Sequence, residues 1–209
     1  LGPLLTKYKK AKVSLPGGCA IGTRPVDLHL FVLKKLGAKI KIKDGYIIAE
    51  AKNGLFGSNI KFPSISVGAT ENAILAAFKA QGKTILNNCA IEPEIKDLIF
   101  FLKKLGGNIK ISGRKIIIYG TSKIKKQVKH KVIFDRIEAV TYFVAGALIG
   151  KKIKISKIKT KVLKNEIKLL KNMGVKITVK KDTVYIYKSE KLKKISISTK
   201  PYPGFPSDL

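Results

Sequence analysis

Three stretches of this sequence repeat one layout, and that repetition constrains the fold more than any other feature. Pro25-Val26-Asp27 leads to Leu36-Gly37-Ala38-Lys39-Ile40-Lys41-Ile42, Pro93-Glu94-Ile95 to Leu105-Gly106-Gly107-Asn108-Ile109-Lys110-Ile111, and Asn165-Glu166-Ile167 to Met173-Gly174-Val175-Lys176-Ile177-Thr178-Val179. Gly106 stands almost midway between Gly37 and Gly174, so the spacing is the same to within one position. Self-similarity at a fixed period is the mark of a structural unit used more than once.

Each copy has the same physical reading. Ile95, Leu98, Ile99, Leu102 and Leu105 recur at helical spacing, and Gly106 then ends the helix as a residue able to take positive φ. A strand, a turn and a return strand are expected next, with Asp44-Gly45, Ser112-Gly113 and Lys181-Asp182 at the turns. Before the second and third copies lie apolar, alanine-rich helices at Glu71 to Ala80 and Ile137 to Leu148, followed by strands at Thr84 to Leu86 and Ile153 to Ile155. The unit is therefore βαβαββ, the first copy lacks its beginning, and the class is α/β.

Composition narrows what such a chain can be. Hydrophobic residues at 45% with 27% charged exclude a disordered chain, because there is ample apolar surface to offset chain entropy. The longest apolar run, Tyr142 to Gly150, falls well short of the roughly 20 residues that span a bilayer. The cysteines, Cys19 and Cys89, are too few for a disulfide framework and point to a reducing, cytoplasmic setting. With 43 Lys+Arg against 13 Asp+Glu the net charge is +30, yet only Arg24, Arg114 and Arg136 are arginine. Lysine lacks the planar fork with which arginine reads phosphate. The sequence opens on Leu1 rather than Met and stops without a tail-like composition, so a fragment is expected.

One segment departs from the economy of the repeat. Pro16-Gly17-Gly18-Cys19-Ala20-Ile21-Gly22-Thr23-Arg24 places a thiol five residues from an arginine, just before a helix. A cation and a helix N-terminus both favour the reactive thiolate. On residues alone, a buried and inert free cysteine explains Cys19 equally well.

The run Pro16-Gly17-Gly18-Cys19 through Gly22-Thr23-Arg24-Pro25-Val26-Asp27-Leu28-His29 resembles the catalytic loop of the UDP-N-acetylglucosamine 1-carboxyvinyltransferase family. Leu1-Gly2-Pro3-Leu4, Ser66 to Asn72, Glu92-Pro93-Glu94, Asp135-Arg136-Ile137-Glu138 and Pro203-Gly204-Phe205-Pro206-Ser207-Asp208 are similar to further motifs of that family in the same order. The resemblance implies an inside-out α/β barrel of two domains, each of three βαβαββ units. This chain would be incomplete at both ends, with residues 1–133 the later part of the first domain, carrying the loop at 16–25, and residues 134–209 the opening of the second.

The implied reaction moves the enolpyruvyl group of phosphoenolpyruvate to the 3′-hydroxyl of UDP-N-acetylglucosamine, releasing phosphate, in the first committed step of peptidoglycan synthesis. Carried over by resemblance, Cys19 is the general acid and the site of a covalent adduct, Arg24 contacts phosphoenolpyruvate, and Asp208 is the base beside the sugar hydroxyl. The sugar nucleotide would be held by Arg24, Pro25, Val26, Asp27, Leu28, Ser64, Ile65, Ser66, Val67 and Asp208. No cofactor or metal is implied, and neither His29 nor His130 stands in a metal-ligand spacing. The family's lysine–asparagine pair and its further arginines have no counterpart among these residues, so the chain alone is expected to be inactive.

Other features have plainer readings. Cys89 is expected in the core, Glu92 and Glu94 complement a helix N-terminus, and Asp135, Arg136 and Glu138 read as hinge and salt-bridge residues. Two competing functions remain. The sister enzyme that makes enolpyruvylshikimate phosphate shares the fold and the donor, but the Pro-Gly-Gly-Cys loop is foreign to its pattern. A nucleic-acid-binding protein would use the +30 charge, but the lysines are spread over every helix and strand rather than gathered in an arm or patch.

Overall fold

A computed structural model describes residues 1–17 and 25–209. They form two compact units, Leu1–His130 and Lys131–Leu209. The first contains α1 (Gly2–Tyr8), β1 (Lys10–Ser14), α2 (Asp27–Lys35), β2 (Lys39–Lys43), β3 (Tyr46–Glu50), β4 (Asn59–Lys61), α3 (Val67–Ala77), β5 (Lys83–Asn87), α4 (Pro93–Lys104), β6 (Asn108–Ser112) and β7 (Lys115–Tyr119). The second contains α5 (Arg136–Leu148), β8 (Lys152–Ser156), a 3₁₀ turn (Thr160–Leu163), α6 (Lys164–Asn172), β9 (Ile177–Lys180) and β10 (Thr183–Tyr187).

The strands pair as β1-β3-β2, β4-β5-β7-β6 and β8-β10-β9. In every sheet the second strand of the hairpin lies in the middle, antiparallel to the hairpin's first strand and to the strand that precedes the repeated helix. The sheet of the second copy adds β4, parallel to β5. Among the described residues, 59–119 therefore hold the whole βαβαββ unit, and each of the other copies starts at its first helix.

The repeated glycines do what the sequence requires of them. Gly37, Gly106 and Gly174 have φ of +96°, +105° and +94°. The residue after each donates its N–H to the carbonyl five positions back: Ala38 to Leu33, Gly107 to Leu102 and Val175 to Leu170, all at 2.9 Å. This is the six-to-one bond of a Schellman cap. The equivalence runs on past the hairpin. Phe56, Lys125 and Lys193 occupy matching places in the three copies and donate to the carbonyls of the helix-ending residues Leu36, Leu105 and Met173 at 2.9, 3.0 and 2.8 Å.

Several boundaries differ from the sequence reading, and α3 ends at Ala77 rather than Ala80. Helix α3 starts at Val67 rather than Glu71, because the Ser66 hydroxyl accepts the N–H of Ala69 and so caps the helix earlier. The turn of the second hairpin is Gly113-Arg114, since Ser112 is still paired with Lys115. Asp44 and Gly45, at φ of 50° and 72°, form the expected turn of the first.

In the first unit α3 is the central element. Ala69, Ala73, Ala76 and Ala77 are almost wholly buried, and their small side chains let α1, α2 and α4 approach it. The core continues through Ile60, Phe62, Leu86, Ile116 and Ile118 of the sheet beneath. The second unit has its own smaller core around Val140, Phe143, Leu163, Val184 and Ile186. No helix among the described residues is long and apolar enough to cross a membrane.

Replacing Gly106 by alanine forces a β-carbon into this backbone conformation and to 3.4 Å from the Lys123 carbonyl oxygen. Chemical denaturation is expected to show a loss of roughly 1–3 kcal/mol for that variant. Gly17→Ala, where nothing lies within 4 Å of the added carbon, is expected to stay within about 0.5 kcal/mol of the parent.

Candidate active site

Cys19 and Arg24, on which the chemistry of the loop rests, lie outside the described residues. The remaining candidates of the first unit fall at two helix starts. Pro25 and Val26 lead into α2, with the Val26 carbonyl accepting the N–H of Leu30 at 3.0 Å. Asp27 opens the helix and is exposed, while Leu28 turns inward. An acid in the first turn complements the positive end of the helix dipole.

Ser64, Ile65, Ser66 and Val67 form the approach to α3. Ser64 is exposed, whereas Ser66 is fixed: its hydroxyl caps the helix at 3.2 Å from the Ala69 nitrogen, and its carbonyl accepts the Thr70 hydroxyl at 2.7 Å. Thr70 is fully buried and in turn accepts the N–H of Ala90 at 3.1 Å. This chain of bonds ties the start of α3 to the segment that precedes α4. The unpaired N–H groups of such a helix start are suited to an anion.

The two helix starts meet at His29. A β-carbon on Gly68 would stand 3.4 Å from Cε1 and 3.5 Å from Nε2 of its imidazole, so the ring rests against the first turn of α3. Burial pushes the imidazole below its ordinary pKa, against the opposing pull of Asp27. His29 is thus held toward its neutral form. Beside it lies a cavity of about 380 Å³ whose walls include Val13, Ser14, Pro25, Val26, His29 and Asn72. Asn72 accepts the Gly2 N–H at 2.8 Å through Oδ1, while its Nδ2 is buried without a partner. The cavity therefore combines apolar walls with the His29 imidazole and the Asn72 side chain on its lining, a combination suited to a polar ring.

Asp208 belongs to the second unit, where it is exposed at the end of the segment Tyr202 to Leu209. That segment is braced within its own unit. Asn165 donates its side-chain amide to the Pro203 carbonyl, and the Arg136 guanidinium lies 5.7 Å from the Tyr202 ring centre.

Several residues gain roles that the sequence did not assign. His29 stands in no metal-ligand spacing, and its place against Gly68 becomes visible only once α2 and α3 are packed. Glu92 stands before α4 as expected but is buried there, and the half-buried Glu71 carboxyl is raised above its usual range by burial first and then by Glu94 and Glu92. Glu166 is buried on α6. Its position one residue before Ile167 and four before Leu170, on the helix's apolar face, was the available signal. Among the described residues no group of three or more His, Cys, Asp or Glu is placed to hold a metal.

Residues 1–209 match the family described as EPSP synthase (3-phosphoshikimate 1-carboxyvinyltransferase). Among curated relatives, the UDP-N-acetylglucosamine 1-carboxyvinyltransferase of Pelagibacter ubique is 57% identical across the whole of this chain. That of Rickettsia prowazekii is 48% identical, again across the whole chain. The chain spans about half the length of these relatives, 50% in both cases. Among solved structures, the enolpyruvyl transferase NikO from Streptomyces tendae superposes with a TM-score of 0.82 at 24% identity, covering 98% of this chain and 50% of its own. EPSP synthase from Acinetobacter baumannii gives 0.66 at 22%, covering 93% and 46%. At those identities the likeness speaks for the fold, which is that of the enolpyruvyl transferases.

The thiol of Cys89 is fully buried, and burial drives its pKa to about 12 against the opposing pull of Arg114. The thiolate is the nucleophile. Alkylation of the native chain at pH 8, followed by peptide mass mapping, is expected to leave Cys89 unmodified and to reach it only in denaturant.

Proposed function

The chain belongs to the EPSP synthase (3-phosphoshikimate 1-carboxyvinyltransferase) family, and from that premise we propose that it serves the transfer of enolpyruvyl from phosphoenolpyruvate to UDP-N-acetylglucosamine. The observation that carries this reading is identity of 48–57%, over an alignment that covers the whole chain, with enzymes named for that reaction. The product enters peptidoglycan synthesis in the cytoplasm, and through it cell shape and division.

Three residues divide the chemistry. The sugar 3′-oxygen adds to C2 of phosphoenolpyruvate while a proton goes to its C3 methylene; loss of phosphate and of one C3 proton then restores the double bond. Cys19 supplies the first proton and can itself bond to C2 as a covalent adduct. A positioned acid of this kind accelerates such a step by roughly 10²–10⁴. Arg24 pairs with the phosphate or carboxylate of the donor, and Asp208 accepts the proton of the attacking hydroxyl.

Pro25 to Leu28 and Ser64 to Val67 hold the sugar nucleotide, and two features of the first unit support that assignment. Both stretches run into helix starts, at α2 and α3, whose N–H groups are suited to a diphosphate. The adjoining cavity, with Asn72 and His29 on its wall, is of the right character for a nucleobase or sugar. Residues 1–133 are the part of the enzyme's first domain that carries the loop at 16–25, and 134–209 open its second domain. The partners are thus UDP-N-acetylglucosamine and phosphoenolpyruvate. The +30 charge supplies general attraction to such anions rather than recognition of a nucleic acid.

Fosfomycin, an epoxide that reacts with the family's loop thiol, tests the reading. Peptide mass mapping is expected to place a single adduct on Cys19, more of it when UDP-N-acetylglucosamine is present and none in Cys19→Ala. Phosphate release by this chain on its own is expected to be negligible. A label indifferent to the sugar nucleotide, together with tight DNA binding that weakens steeply with salt, would overturn the assignment.

A further inference from the structure

The second unit buries an ion pair directly beneath the segment that ends in Asp208. Arg136 is the first residue of α5 and Glu166 lies in the first turn of α6. Nη1 and Oε1 are 3.8 Å apart, with the two side chains only 10% and 3% exposed. The guanidinium faces the Tyr202 ring at 5.7 Å, and Asn165, the neighbour of Glu166, donates to the Pro203 carbonyl. Beyond these contacts the segment closes on itself. Lys200 donates to the Phe205 carbonyl and Gly204 to that of Pro201, both at 2.9 Å. A β-carbon on Gly204 would strike the Lys200 backbone and side chain at 2.5–3.0 Å, so this closure requires glycine.

A buried ion pair needs a reason. Burial raises the Glu166 carboxyl above its ordinary pKa even though its own backbone N–H and Arg136 both pull it down. Desolvation is the larger influence on the carboxyl, and apolar pairs of similar volume often pack as well as buried ion pairs. An apolar pair could not offer a flat cationic face to an aromatic ring. We propose that Arg136 and Glu166 are positioning residues: Glu166 holds the guanidinium against the Tyr202 ring while Asn165 holds Pro203, and together they fix the segment that carries Asp208. The proposal rests on the reading of Asp208 as the base, since otherwise the segment has no reacting group to aim.

The charged groups around Glu166 leave Arg136 as its counter-ion. From α5, Asp135 spends its carboxylate on the N–H groups of Ile137 and Glu138 at 2.8 and 3.1 Å, and Glu138 is exposed. On α6, Lys164 and Lys168 are exposed, as is Lys200 of the segment itself. A group whose folded pKa is raised stabilises the fold below its unfolded pKa, and that contribution is lost as pH rises through the folded value. Protonation of Glu166 removes the charge that faces Arg136 and so releases the guanidinium.

The chain contains no tryptophan, so Tyr202→Trp introduces a single indole at the contact. Acrylamide quenching of its fluorescence is expected to increase in one step as pH falls, with a midpoint above the ordinary carboxylate range. The amide signal of Asp208 in the unsubstituted chain is expected to shift with the same midpoint. Glu166→Gln should abolish the step, and Arg136→Lys, which keeps the charge but not the plane, should leave the indole more quenchable at every pH. A buried pair with a merely structural role would move thermal stability without coupling the indole and the Asp208 amide to one titration. Absence of the step in the parent, its persistence in Glu166→Gln, or an unmoved Asp208 amide would overturn the proposal. Should Glu166→Gln fail to fold by circular dichroism, the two parental titrations and Arg136→Lys still decide. No substrate enters these measurements, so they stand or fall apart from the fosfomycin experiment.

Discussion

The left-handed residue at the end of each repeated helix is the constraint on which the rest of the architecture depends. At φ between +94° and +105°, Gly37, Gly106 and Gly174 reverse the chain within one residue, so the hairpin that follows packs back against its own helix. The reversal also leaves room on the outside of the glycine. A β-carbon at Gly106 or Gly174 would lie 3.4 or 3.2 Å from the carbonyls of Lys123 and Lys191, which belong to the segments returning from the hairpins. The same residue therefore ends the helix, aims the hairpin and admits the returning stretch of chain. Ending the helix and aiming the hairpin are required at all three positions, and at Gly106 and Gly174 the close returning carbonyl is a further reason for glycine.

The helix α3 gathers the elements of the first unit around it. Because its inner faces are alanine, neighbours on several sides come close, and the starts of α2 and α3 are brought to one edge with His29 between them. A β-carbon at Gly68 would just touch the imidazole, at 3.4–3.5 Å. The bonds from Ser66 through Thr70 to Ala90 then brace this edge against the connection into α4. Close packing in the middle of the unit and an open, polar rim at its end are thus consequences of the same small residues.

Much of this was legible in the sequence, for physical reasons that can be named. A near-constant period, a glycine after an apolar helical stripe and turn residues between alternating runs are local signals, and the elements they announced are present. The errors lie where a side chain overrides the pattern: Ser66 starts α3 earlier than its apolar residues would, and the Ser112–Lys115 pairing shifts a turn by one position. The site was harder to read. Asp27, Ser66 and Asp208 could be singled out only through resemblance, because a capping serine and an exposed aspartate look the same with or without a substrate. The grouping of Arg136 with Glu166 and Tyr202 joins residues from two helices and a distant segment of the chain, and it follows no sequence spacing.

The distribution of charge obeys the same logic of particular partners. No lysine is buried among the described residues, whereas Glu92 and Glu166 are. An exposed ammonium on a flexible stem is solvated wherever it stands, so the many lysines constrain little about the chemistry beneath. A buried carboxylate must be held by particular partners or be neutral. In a chain with 43 cations and 13 acids, the buried members of the minority charge are therefore the ones whose surroundings are most closely specified. Glu166 sits where α5, α6 and the Asp208 segment converge, and it can occupy that place only because an arginine, one of the few in the chain, was set opposite it.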